Sequence, residues 1–160
     1  MTELFEAFLD SWERNNRILV NLLRALPAGG LEARARAGSP TVGEMIGHMH
    51  YVRLVLVSED APECAREMPA DEWAAVRDVA RMAEMLNESA RGVREAVVRR
   101  MESGREMDVH YDHPILMMQH LIWHEGYHHG QIKLALLAAG LGLDDREAGR
   151  VTWHVWFDKS

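Results

Sequence analysis

At 160 residues the chain is long enough to close one sizeable core as a single domain, residues 1–160, and its 48% hydrophobic and 27% charged content is that of a globular protein. A net charge of −7 argues against nucleic acid or an anionic membrane as partner, and no apolar run approaches the length of a bilayer span. Lone Cys64 excludes an intrachain disulfide, and an acidic start unlike a secretory signal makes the expected setting cytoplasmic.

The first predicted helix covers residues 4–26. Phe5, Trp12, Leu19 and Leu26 recur every seven residues, and Phe8, Leu9, Leu22 and Leu23 fill the other seam of the same stripe. Asn15 and Asn16 interrupt it near the middle, and Pro27-Ala28-Gly29-Gly30 stops the helix. The second helix opens after Pro40. Thr41 and Glu44 have the spacing of a capping box, the hydroxyl taking a free backbone N–H and the carboxylate returning to the cap. Met45, Val52, Val55 and Leu56 follow, with His48 in register among them. Residues 58–70 read as a polar linker carrying Pro62 and Pro69.

The third predicted helix, residues 71–102, is the most regular. Val76, Val79, Ala83, Leu86, Ala90, Val93 and Val97 alternate spacings of three and four, as bundle packing requires. Arginines and glutamates cover its outer faces, and Gly104 ends it. Pro114 opens the fourth helix, which runs to about residue 139 and stops at Gly140-Leu141-Gly142. A tail over residues 144–160 holds Trp153, Trp156 and Phe157, expected to fold back onto the bundle or a partner subunit. Four helical segments and no strand run predict an all-α four-helix bundle with a short aromatic tail.

Chemistry concentrates in the histidines. His120, His124 and His128 follow one another at intervals of four on the last helix, and residues four apart share a helix face. Two imidazoles so placed can grip one divalent cation. His48 lies on the apolar side of the second helix, with Gly47 leaving room for close approach, and completes a three-histidine site with His124 and His128. Three ligands leave a position open, the arrangement of catalytic sites. Nitrogen ligation suits zinc, nickel, copper or iron, with manganese also a candidate. Gln131 and Glu44 fall on faces where either can steady a ligand ring. His120 reads as a core or supporting residue, His50 faces away from His48, and His129 lies about 100° off the ligand face. His110, His113 and His154 fall in loops or tail, where exposure is expected.

His124-Glu125-Gly126-Tyr127-His128 also matches H-E-x-x-H, the zinc-protease motif whose glutamate is the general base. That reading ranks second, because such proteases need a strand edge to hold the peptide, although Glu147 or His154 offers a third ligand.

The chain resembles the DinB/YfiT-like superfamily of bacterial metal-binding four-helix bundles over residues 4–143. The likeness rests on Ser39-Pro40-Thr41-Val42-Gly43-Glu44 leading to His48, and on His120, His124, His128, His129, Gly130 and Gln131 in sequence. It implies His48, His124 and His128 as metal ligands, helices running up-down-down-up, and a homodimer. Members with known activity include thiol-dependent transferases and isomerases using bacillithiol, mycothiol or glutathione. His129 stands where many members have arginine. The expectation is a divalent-metal enzyme acting on a small molecule, foremost a thiol-dependent S-transferase. Its rivals are a metal-dependent hydrolase and a non-catalytic metal or ligand sensor.

Overall fold

The computed structural model describes residues 2–73 and 76–159. It is all-helical, and the described residues contain no strand beyond an isolated bridge between Arg34 and Thr41. Four long helices, α1 (Glu3–Arg24), α2 (Val42–Asp60), α3 (Val79–Ser103) and α4 (Pro114–Ala138), are followed by a short α5 (Asp145–Val151) and a 3₁₀ turn at Trp153–Phe157. None of the described helices is long and apolar enough to cross a membrane.

Each long helix starts on a side chain that takes a free backbone N–H. Thr2 caps α1 through Phe5 N at 3.3 Å. Thr41 and Glu44 form the full capping box of α2, at 3.0 and 2.6 Å. Asp78 accepts from Ala80 N and Arg81 N at the head of α3, and His113 accepts from Ile115 N ahead of Pro114 in α4.

The third helix therefore begins at Val79 and not at residue 71. Asp71, the other cap-type residue, instead closes a tight turn by accepting from Trp73 N at 3.0 Å. Ala74 and Ala75 lie outside the described residues. Val76 still packs against the core, so the apolar register runs on ahead of the helix it announces.

Two apolar clusters fill the interior. One takes Phe5, Leu9 and Trp12 from the start of α1, Leu56 and Val57 from the end of α2, Val93 and Val97 from α3, and Met117 and Leu121 from the start of α4. The other takes Leu19, Leu22 and Leu23 from the end of α1, Met45 and Met49 from α2, Met82 and Leu86 from α3, and Ile132 and Leu136 from the end of α4.

Between those sets each helix turns polar groups inward: Asn15 and Asn16 from α1, Arg53 from α2, Ser89 from α3 and Glu125 from α4. The Glu125 carboxylate accepts from Arg53 Nε and Nη2 at 2.6 and 2.9 Å, and Asn15 Nδ2 adds a third bond at 2.5 Å. Arg53 Nη1 donates to Asn16 Oδ1 at 2.8 Å and to the Leu86 carbonyl at 2.7 Å. The guanidinium lies 4.8 Å over the Trp12 ring. Arg53 and Glu125 are both fully buried, and their hydrogen bonds tie the four long helices together at mid-height.

The C-terminal segment folds back on α1. Arg14 donates to the Val155 carbonyl and Asn21 to that of Val151, at 2.5 and 2.9 Å, and Val155 is buried. Trp153, Trp156 and Phe157 nevertheless remain exposed. The segment docks through backbone acceptors, Val155 and a contact of Lys133 Nζ over the Trp153 ring at 5.3 Å.

Candidate metal centre

The structure brings His48 of α2 together with His124 and His128 of α4. His124 Nε2 lies 3.2 Å from His48 Nε2 and 3.2 Å from His128 Nε2, and one ring nitrogen from each falls within 4.8 Å of the others. Nitrogens bound to one tetrahedral zinc at 2.0–2.1 Å stand about 3.3 Å apart. The spacing fits a shared ion, and among the described residues this is the group of side chains able to hold one.

Burial prepares the donors. It pushes the His124 pKa down to about 4, helped by His128 and His48. His128 is lowered by burial first and His48 second, while Gln131 beside it works the other way. A ring that resists protonation keeps the lone pair a metal needs. Among the described residues the buried Nδ1 atoms of His124 and His128 have no hydrogen-bond partner, and Nε2 is the converging atom on each ring.

His48 is steadied from outside the bundle. Its Nδ1–H donates to Glu72 Oε1 at 2.8 Å, which turns the Nε2 lone pair toward the other two rings. Trp73 stacks flat on the same imidazole, with centroids 4.2 Å apart and planes 3° from parallel. Neither residue carried a sequence signal. They sit where the third helix was expected to begin, and their partner His48 is 24 and 25 residues away. Glu44 does not hold a ligand ring, because Thr41 N engages its carboxylate and lowers its pKa. Gln131 donates to Tyr127 Oη at 2.9 Å next to His128.

The stripe of three histidines divides. An interval of four overshoots one helical turn by about 40°, so the rings rotate outward in steps. His128 is buried, His124 is partly buried and His120 is exposed. His120 is accordingly no core residue, and its Nδ1 accepts instead from Tyr111 Oη at 2.7 Å.

Glu125, about 100° from His124, points into the core, where Arg53 and Asn15 occupy both carboxylate oxygens. It cannot serve as the general base of an H-E-x-x-H protease. Glu147 and His154 are exposed in the C-terminal segment and join no metal-holding group among the described residues.

His50 faces away from His48 as expected, into a separate cavity of about 420 Å³ between α2 and α3. His129 is partly buried and lies outside the trio. His110 is clasped by Asp60, its Nδ1 2.8 Å from Oδ2.

A second cavity of about 630 Å³ opens on His128, walled by Met45, Trp73, Tyr127 and Leu134, with Arg36 on its border. Pockets of this size accept small organic molecules.

The family described as "DinB family" matches residues 1–143, a span that contains all three histidines and the elements that carry them. The chain belongs to the DinB family. Metal binding is a general property of DinB proteins, in keeping with the histidine geometry here. No curated protein and no solved structure matches the chain. α5 and the turn after it lie beyond the DinB match.

Proposed function

We propose that this DinB protein binds one divalent metal ion through Nε2 of His48, His124 and His128, and that it is a metal-dependent enzyme acting on a small molecule, foremost a thiol-dependent S-transferase. The observation that carries the reading is the convergence of three imidazole nitrogens, two separations being 3.2 Å, at the end of a 630 Å³ cavity. Zinc or nickel suits the all-nitrogen donor set best.

A divalent ion held there supplies Lewis acidity, which makes a thiol or a water a stronger acid near neutral pH. The chain's own groups do the rest. Glu72 and Trp73 fix the His48 ring, burial holds the His124 and His128 pKa values down, and Tyr127, Leu134 and Met45 give the substrate an apolar wall. In the transfer a sulfur–carbon bond forms as the bond from that carbon to its leaving group breaks, and the thiol proton passes to solvent.

The domain is read as an up-down-down-up four-helix bundle. The starts of α1 and α4 share a cluster with the ends of α2 and α3, in support of that order. A homodimer is supported by the outer face of α4. Leu116, His120, Trp123, Tyr127, Gly130, Leu134 and Leu137 alternate spacings of four and three and are all exposed, the repeat by which two helices interlock. A reducing, cytoplasmic setting suits the free, buried Cys64.

The test is turnover. Protein loaded with zinc or nickel, offered a panel of low-molecular-weight thiols and carbon electrophiles, should form thioether at a rate that depends on metal and is lost in His48→Ala, His124→Ala and His128→Ala. Full metal occupancy with no thiol or hydrolytic turnover would favour the sensor instead.

A further inference from the structure

The cavity that meets His128 is mostly apolar, yet it holds one feature that apolar packing does not require. Arg36, from the loop ahead of α2, borders it as its one charged side chain among the described residues. Among the described residues Arg36 forms no ion pair, whereas its neighbour Arg34 is engaged by Glu44 at 3.6 Å and by the Ser39 carbonyl. The chain as a whole carries −7, a field that repels anions. A guanidinium lining the same cavity as His128 reverses that sign locally, where a divalent ion would reinforce it. The same cavity is lined by the Trp73 indole and the Tyr127 phenol ring, both exposed. Flat aromatic walls favour a flat apolar body, and a planar fork of N–H donors favours carboxylate or phosphate oxygens.

The geometry points to an organic anion as the small-molecule ligand of this cavity: its acidic group on Arg36, its flat apolar body against Trp73 and Tyr127, and its far end at His128. The assignment builds on the metal-centre reading and names the substrate class for it. Arg36 is the specificity-determining residue, and it selects for charge without touching the metal ligands.

Calorimetric titration of zinc-loaded protein tests it with three probes of one shape: 2-naphthoate, 2-naphthyl phosphate and the neutral 2-naphthalenemethanol. Both acids should bind about tenfold or more tightly than the alcohol. Arg36→Ala should weaken the acids about tenfold and leave the alcohol within about twofold, Arg36→Lys should restore part of the loss, and Tyr127→Ala should weaken all three. The inference is overturned if the alcohol binds as well as the acids, if Arg36→Ala leaves the acids unchanged, or if neither acid binds by millimolar concentration. Metal content measured on the same samples separates the two readings. Arg36-dependent acid binding to protein that takes up no zinc would sink the metal centre alone, and zinc-replete protein indifferent to Arg36 would sink the substrate class alone.

Discussion

At the scale of single residues, the site depends on holding three rings in the right protonation state and orientation. Glu72 fixes one of them, through a 2.8 Å bond to His48 Nδ1. Carboxylates in that position contribute about 10–100-fold to metal affinity. Glu72→Gln should therefore weaken zinc binding by about that factor in competition with a chromogenic chelator, and an unchanged affinity would remove Glu72 from the site. Acid should expose the histidines too. Burial depresses the pKa of His50, His124, His128 and His129. Below about 6.5 the unfolded chain takes up protons that the folded chain refuses, down to about 4 for His124. In that window the unfolded state binds more protons, so stability falls as pH falls. The Tm of metal-free protein should drop from pH 7 to pH 5, less steeply in His124→Leu; a flat or rising Tm would contradict the depressed values. The three converging histidines were legible because helix periodicity and a capping box place them. Glu72 and Trp73 were not, since tertiary packing alone brings them to His48.

At the scale of helices, the polar belt is where sequence reasoning met its limit. Asn15 and Asn16 were visible as a break in the α1 stripe, but their purpose was not, because the partners Arg53 and Glu125 sit on α2 and α4. Glu125 looked catalytic in a one-dimensional motif. About 100° per residue turns it from the histidine trio into the core, and its pairing with Arg53 makes it structural. Removing one partner of a buried ion pair costs about 3–5 kcal/mol, since the other charge is left uncompensated. Glu125→Gln should thus lower the denaturant midpoint substantially while folded protein keeps its metal. Wild-type stability combined with abolished hydrolysis would revive the protease motif. The start of α3 was missed for a related reason. Asp71 and Asp78 are both plausible caps, and the turn Asp71 closes decides between them.

For the whole molecule, a regular heptad repeat on α4's outer face is left open to solvent, although the helix buries its opposite face in both clusters. Exposed apolar stripes of this kind mark protein contacts. Sedimentation velocity should show a dimer that Trp123→Glu with Leu137→Glu converts to monomer with unchanged helicity; a monomeric wild type would remove the second copy. The all-α class followed from period and punctuation, because apolar spacing of three and four and well-placed Pro and Gly leave no room for strands. The tail's return to the bundle was expected from its aromatics, but its attachment through the Val151 and Val155 carbonyls was not legible, because main-chain acceptors carry no sequence signal.

The central claim is that Nε2 of His48, His124 and His128 share one ion. Anomalous diffraction from crystals of zinc-loaded protein, collected on both sides of the zinc edge, tests it most directly. The account predicts a single strong peak within about 2.0–2.2 Å of all three nitrogens. A peak on other side chains, or none near His48 with zinc present in the crystal, would contradict it.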